Sequence, residues 1–231
     1  DGAYRIVYEI ARGGMGVVYR AEQLNLGRPV ALKIIRGAGS SQETRIQRFR
    51  REAQAIGRLR HPGIVQIYNV GETGGCHYLA MEFLEGRSLD KVIEVGELPP
   101  LDATRIVRDL AQAVAYAHAQ GVLHRDLKPS NVILDAGSRP RLTDFGLAKL
   151  VGRDPGLDLT RSGDIVGTPF YIPPELIEKG SRTISESGDI YGLGVIYYQL
   201  LTGKMPFTGT TSVEVYHRIL REQPVPPRKL V

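Results

Sequence analysis

Two short stretches constrain this chain more than anything else in it: His124-Arg125-Asp126-Leu127-Lys128-Pro129-Ser130-Asn131, and Asp144-Phe145-Gly146 beginning thirteen residues later. The polar run broken by Pro129 reads as a loop, and the apolar Val132-Ile133-Leu134 that follows reads as a strand. Gly137-Ser138 then supplies a turn and Arg141 to Thr143 a second short strand. The loop offers a carboxylate, a lysine and an amide within six positions, and the second stretch adds another carboxylate. Phosphoryl transfer needs such a set: an acid to orient a hydroxyl, a cation near the moving phosphate, and oxygens for a hard cation. Any one aspartate alone would more often be structural; the ordered set is what carries the reading.

Together these stretches match the catalytic-loop and metal-loop patterns of protein kinases, and the chain resembles a eukaryotic-type (Hanks-type) Ser/Thr protein kinase domain of the bacterial subgroup. The resemblance implies an α+β, two-lobed fold. A small antiparallel β lobe with one helix would take residues 1–84, and a larger, mainly helical lobe residues 85–231. It also implies roles. Asp126 would orient the substrate hydroxyl and accept its proton, Lys128 would neutralise charge on the γ-phosphate, and Asn131 and Asp144 would hold Mg²⁺ or Mn²⁺. His124 would pack beneath the metal loop and move no proton.

Strand signals precede that site at Tyr4 to Tyr8, Val17 to Tyr19 and Val30 to Ile35. Between the first two lies Ala11-Arg12-Gly13-Gly14-Met15-Gly16-Val17-Val18. A glycine-rich hairpin tip lets backbone N–H groups approach an anion, yet alone it is a weak signal. In register with the kinase pattern G-x-G-x-x-G-x-V it becomes the phosphate-covering loop, with Ala11 in place of the first glycine. Nucleotide binding is expected to survive that replacement. Lys33, in the apolar strand Val30 to Ile35, would be costly to bury unpaired. Glu52, nineteen positions on in a helical segment with Phe49, Ala53, Ile56 and Leu59 at helical spacing, is the expected counter-charge. By resemblance the pair would aim Lys33 at the α- and β-phosphates, and a shift of its helix would switch activity.

The ATP site implied by the resemblance adds Val18 and Ala31, then Met81 behind the adenine, Glu82 and Leu84 offering backbone groups to its edge, and Ile133. Strands are expected at Ile64 to Tyr68 and His77 to Leu84. Ile106, Leu110, Val114 and Ala117 mark a helix with Gly121 just past its end. Beyond the metal loop, Ala148 to Val166 has little apolar periodicity and reads as a long functional loop. Thr160 and Ser162 there are candidate regulatory phosphosites, with Arg125 the residue that in the family pairs with such a phosphate. Lys128 and Thr168, in Gly167-Thr168-Pro169-Phe170-Tyr171, match the Ser/Thr rather than the tyrosine branch; Thr168 would bond Asp126 and Lys128.

Pro173-Pro174-Glu175 stands where the family has Ala-Pro-Glu, and Ser187 to Val195 resembles its buried central helix, with Asp189 capping the backbone of the catalytic loop. A last helix is expected from Thr211-Ser212 to about Arg221. The family pattern continues past Val231, where it supplies an arginine for Glu175. Without that partner Glu175 is expected to be an uncompensated buried carboxylate, at a cost of about 3–5 kcal/mol. Beginning at Asp1, the sequence reads as a piece of something longer.

Bulk properties narrow the alternatives. At 231 residues and 42% apolar the chain can bury a sizeable core. The longest mostly apolar stretch, Ile190 to Leu201, is too short to span a bilayer, so no membrane contact is expected within the chain. The net charge of +5 raises nucleic acid as a partner, but the densest basic cluster (Arg45, Arg48, Arg50, Arg51) fits a solvated helix face and no nucleic-acid motif accompanies it. Cys76 is the only cysteine, which suits a reducing cytoplasm, and it reads as a small buried hydrophobe. The expected setting is the cytoplasm, either free or as the cytoplasmic domain of a membrane-anchored parent. The partners implied by the resemblance are protein substrates with Ser or Thr, and a second copy for phosphorylation in trans. Three rivals stand beside the kinase reading: an ATP-binding scaffold, against which Lys33, Asp126 and Asp144 are all intact; an inactive kinase fragment lacking the last helices of the family pattern; and a small-molecule phosphotransferase, against which the Gly167 to Glu175 segment speaks.

Overall fold

A computed structural model describes residues 2–13, 16–35, 43–96, 98–146, 169–179 and 185–231. It separates into two compact units. The first holds the described residues up to Glu85 with Gly146, and the second holds Gly86–Phe145 and the described residues from Pro169 on.

In the first unit, β1 (Tyr4–Gly13), β2 (Gly16–Gln23), β3 (Arg28–Ile35), β4 (Ile67–Thr73) and β5 (Cys76–Glu82) form an antiparallel sheet in the order β1-β2-β3-β5-β4. Alternation along the strands builds its core. Ala21, Val30, Leu32, Tyr78 and Ala80 are buried together, with Tyr4 and Ile34 packed against them. The Tyr4 and Tyr78 rings meet edge to face, 5.6 Å apart. Helix α1 (Glu43–Gly57) turns Ala53 and Ile56 inward, and Leu59, just past its end, is also buried. Arg50 and Arg51 are exposed as a solvated face requires, and Arg50 reaches Glu72 at 2.9 Å.

Two expectations are corrected in this unit. The strand read over Ile64 to Tyr68 begins at Ile67 and runs on to Thr73. Ile64 and Val65 are instead buried in the approach to it, and the apolar run marks burial there rather than pairing. Cys76 is exposed, because it follows the Gly74-Gly75 turn at the start of β5, where only the residues after it face inward.

The second unit holds α2 (Leu89–Val95), α3 (Pro100–Ala119), α4 (Pro174–Lys179), α5 (Glu186–Thr202) and α6 (Ser212–Arg221). A small antiparallel sheet, β6 (Gly86–Ser88), β7 (Val132–Asp135) and β8 (Pro140–Leu142), pairs in the order β6-β7-β8. Helix α3 buries Ile106, Leu110, Ala113, Val114 and Ala117 along one stripe and packs on α5. Gly121, at φ 72°, follows its end; its N–H donates to the His118 carbonyl and that of Val122 to the Ala117 carbonyl. This Schellman ending turns the chain toward the His124 stretch. Helix α5 is apolar around most of its circumference, burying Gly192, Leu193, Val195, Ile196, Tyr198 and Leu200. Thr211 caps α6 by accepting from the Glu214 N–H at 3.2 Å.

Glu175, on α4, is half-buried and accepts a hydrogen bond from the Ser187 hydroxyl at 2.6 Å. The expectation of an uncompensated buried carboxylate is therefore corrected: α5 brings a donor to it from within the chain. Among the described residues no helix is long and apolar enough to cross a membrane.

Candidate active site

The loop between α3 and β7 is fixed from beneath. His124 is almost fully buried, its ring 4.5 Å from that of Phe145, and its Nε2 lies 3.0 Å from the Thr143 carbonyl. Its Nδ1 accepts from the Asp126 N–H at 3.3 Å. The proton therefore sits on Nε2, which donates to Thr143. Burial pushes the imidazole below its ordinary value, against the opposing charge of Asp189. His124 is thus a neutral strut under the segment that carries Asp144.

Asp189 is buried at the start of α5, and its two oxygens accept the backbone N–H groups of His124 (Oδ2, 2.8 Å) and Arg125 (Oδ1, 2.8 Å). That bond pair holds Arg125 at φ 65°, a left-handed conformation that a non-glycine residue adopts at a cost. Leu127 is buried against α5, where a Cβ on Gly192 would stand 2.9 Å from its own Cβ. Only glycine lets the helix approach the loop so closely.

With the loop so held, its polar groups converge. Lys128 Nζ and Asn131 Nδ2 each lie 3.0 Å from Asp126 Oδ2. Asn131 Nδ2 also donates to the Asp126 carbonyl at 2.8 Å. A single 3-10 turn over Pro129–Asn131 brings the asparagine back to the aspartate. Pairing of Val132 with Leu142 and of Ile133 with Arg141, and the Thr143 N–H bond to the Asn131 carbonyl (3.0 Å), carry the chain back beside Asn131. Asp144 follows at φ 56°, a second left-handed non-glycine residue. Both Asn131 and Asp144 carry oxygen donors, the chemistry Mg²⁺ prefers.

The nucleotide-side positions lie in the first unit, and strand register sorts them. Gly13 pairs with Gly16, Ala11 with Val18, Val18 with Lys33, and Ala31 with Met81. Residues directly opposite, and those two apart on a strand, share a face of a sheet. Ala11, Gly13, Gly16, Val18, Ala31, Lys33 and Met81 therefore all belong to one face, and the Val30–Leu32–Ala80 core belongs to the other. Arg12 is exposed beside Glu9. Gly16 is dictated locally, because a Cβ there would overlap the Ile34 carbonyl oxygen. Glu52 is half-buried on α1. The Glu82 N–H is taken by the Gln66 carbonyl at 2.9 Å, and Leu84 lies just past β5. Gly14, Met15, Thr160, Ser162 and Thr168 lie outside the described residues.

Sequence reasoning missed Gly192 and His118. His118 Nε2 lies 2.8 Å from Asp189 Oδ2, the oxygen that also accepts the His124 N–H. Helical phase places it on the Val114 side of α3, but nothing local pairs it with a residue 71 positions away.

A family model described as "Protein kinase domain" matches residues 4–228. The chain is 39% identical over 212 residues to the serine/threonine-protein kinase pkn2 of Myxococcus xanthus, covering 90% of this chain and 25% of that protein. It is 39% identical over 216 residues to the serine/threonine-protein kinase PrkC of Bacillus subtilis, covering 93% and 33%. With the serine/threonine-protein kinase PknB of Mycobacterium tuberculosis identity is 36% over 220 residues, covering 93% and 35%. The chain thus spans a quarter to about a third of the length of these curated relatives.

Proposed function

The chain belongs to the protein kinase domain family, and from that premise we propose that it transfers the γ-phosphoryl group of ATP to Ser and Thr hydroxyls of proteins. The observation that carries this reading is the triple convergence on Asp126: one carboxylate oxygen held by Lys128 and Asn131, with the main-chain oxygen bound by the same asparagine. A base so anchored can aim at a hydroxyl without swinging.

In this reading the Asp126 carboxylate accepts a hydrogen bond from the substrate hydroxyl and takes its proton as the hydroxyl oxygen bonds to the γ-phosphorus and the bond from that phosphorus to the β,γ-bridging oxygen breaks, releasing ADP. Lys128 lies against the same carboxylate, and its ammonium is proposed to meet the charge of the transferring phosphoryl group. Asn131 spends its Nδ2 on Asp126, which leaves its amide oxygen as the acceptor-type ligand, and Asp144 would add a carboxylate. When bound there, Mg²⁺ or Mn²⁺ supplies charge neutralisation at the β- and γ-phosphates. Lys33, paired with Glu52, holds the α- and β-phosphates. The glycine-rich turn is proposed to cover them, with Val18, Ala31 and Met81 against the base and Glu82 and Leu84 at its edge.

Autophosphorylation at Thr160, Ser162 or both, in trans within a transient pair of copies, is proposed to regulate transfer, with Arg125 receiving the phosphate. Thr168 is proposed to bond Asp126 and Lys128. The proposed setting is the cytoplasm, where ATP is supplied. The test is phosphate transfer from Mg-ATP to the chain itself and to a basic carrier protein, beside D126N. Phosphoserine or phosphothreonine that disappears in D126N is the expected result; tight ATP binding without transfer would point to a scaffold instead.

A further inference from the structure

We propose that Arg20 is a positioning residue for the nucleotide: it ties strand β1 to the segment at the adenine edge and so lengthens the time a nucleotide stays bound. The consequence rests on the reading of Glu82–Leu84 as that edge, whereas the tie itself rests on geometry alone. The Arg20 guanidinium stands over two rings, 5.9 Å from the centre of Tyr8 on β1 and 5.5 Å from that of Phe83, the residue after the end of β5. Both distances lie within the reach of a cation–π contact. Arg20 is opposite Ala31 on β3, whose methyl side chain leaves room for the arginine to cross to Phe83.

Strand register shows that Tyr8 is aimed at this arginine. Ile6 lies opposite Ala21, on the face of the Val30–Leu32–Ala80 core. The register shifts between Ile6 and Tyr8, which sets Tyr8 opposite Arg20 on the nucleotide face; in unbroken register it would lie opposite Tyr19 on the core face. A second shift, between Glu9 and Ala11, sets Ala11 opposite Val18, again on the nucleotide face. Paired irregularities of this kind re-aim a side chain.

The tie matters because of what β1 carries. Tyr4 is half-buried and every later residue of the strand is exposed. The Tyr4 end is fixed to the core, its ring against Tyr78 and its hydroxyl accepting from Asn69 Nδ2 at 3.2 Å. From Tyr8 to Gly13 the strand has its ladder to β2 and the Arg12–Glu9 ion pair within itself. A two-stranded ribbon is marginal by itself. A cation–π contact, on the scale of an about two- to fivefold change in an equilibrium, is therefore enough to shift how often that end loosens. Ala11 and Gly13 lie there, in the proposed cover of the phosphates, so loosening would speed the exit of a nucleotide more than its entry.

Four variants of the full chain test this: R20L, Y8L, the two combined, and Y8F, which keeps the ring. The first readout is hydrogen exchange in nucleotide-free protein. The Glu9 to Gly13 amides are expected to exchange about threefold faster in R20L and Y8L and at the wild-type rate in Y8F, with Arg5 and Ile6 unchanged as the control. The second is binding of a fluorescent ADP derivative. Its dissociation should be about threefold faster in R20L and Y8L, with association within about twofold of wild type. R20L already removes the contact with Tyr8, so the double variant should match R20L. Unchanged exchange or unchanged dissociation in R20L and Y8L, a Y8F as fast as Y8L, or effects that multiply in the double variant overturn the proposal. The exchange pattern without ADP binding by wild type would overturn the nucleotide reading and leave the tie itself standing.

Discussion

Asn131 donates one amide group twice to Asp126, to its side chain at 3.0 Å and to its main-chain oxygen at 2.8 Å. One residue thus serves as proposed metal ligand and as anchor of the proposed base. Replacing it should damage both. N131A is expected to lower kcat by ~10²-fold or more, the scale of losing one preorganised polar group in an active site. N131D keeps an oxygen ligand but places a second carboxylate beside Asp126 and gives up the donor, so it should also be impaired. Steady-state transfer at saturating Mg-ATP checks this; an N131D with wild-type kcat would show that the bond to Asp126 is dispensable.

The close approach of α5 to the loop predicts contrasting behaviour of two neighbouring glycines. A Cβ at Gly192 meets Leu127 at 2.9 Å, whereas one at Gly194 meets nothing within 4 Å. G192A should destabilise by about 1–3 kcal/mol through overpacking. G194A should stabilise by up to ~1 kcal/mol, since alanine is the better helix former. Thermal melts of the two proteins should shift in opposite directions.

Asp189 accepts three hydrogen bonds at once, from His118, His124 and Arg125. D189N keeps the shape but turns a donor toward groups that are themselves donors, so at least one buried N–H loses its partner. The expected loss is about 1–3 kcal/mol, read from urea midpoints. A D189N midpoint equal to wild type would contradict the capping role.

His124 makes stability depend on pH. Its folded value lies below the ordinary one because burial disfavours the imidazolium. As pH falls below about 6.5 the unfolded ring takes up a proton that the folded ring refuses, so stability is complete above that point and is lost toward lower pH. The slope from this one group approaches about 1.4 kcal/mol per pH unit at most. H124F keeps an aromatic ring against Phe145 without the titration. The wild-type advantage over H124F should shrink between pH 7.5 and 5.5; parallel curves would contradict a buried neutral histidine.

Much of this was legible in the sequence. The order and spacing of Lys33, Asp126, Lys128, Asn131 and Asp144 are local patterns, and Gly121, Thr211 and the Gly137-Ser138 turn announce themselves by residue type. Less was legible where one residue has two meanings. Ile64 and Val65 are apolar because they are buried, not because they pair, and Cys76 reads as a hydrophobe until the Gly74-Gly75 turn places it at the surface. What depends on distant chain was hidden: Ser187 meeting Glu175, Gly192 yielding to Leu127, and His118 meeting Asp189 across 71 positions. Each is chosen by a partner that only the packing of α5 supplies.

The central claim is that Asp126 is the base of a protein-directed phosphotransferase. The most direct measurement is incorporation of the γ-phosphate of Mg-ATP into the chain and into a basic carrier protein, for wild type and D126N, with the modified residues identified. The account predicts phosphoserine or phosphothreonine in wild type and a loss of ~10²-fold or more in D126N, on the scale of general-base catalysis. Equal incorporation by the two proteins would contradict it.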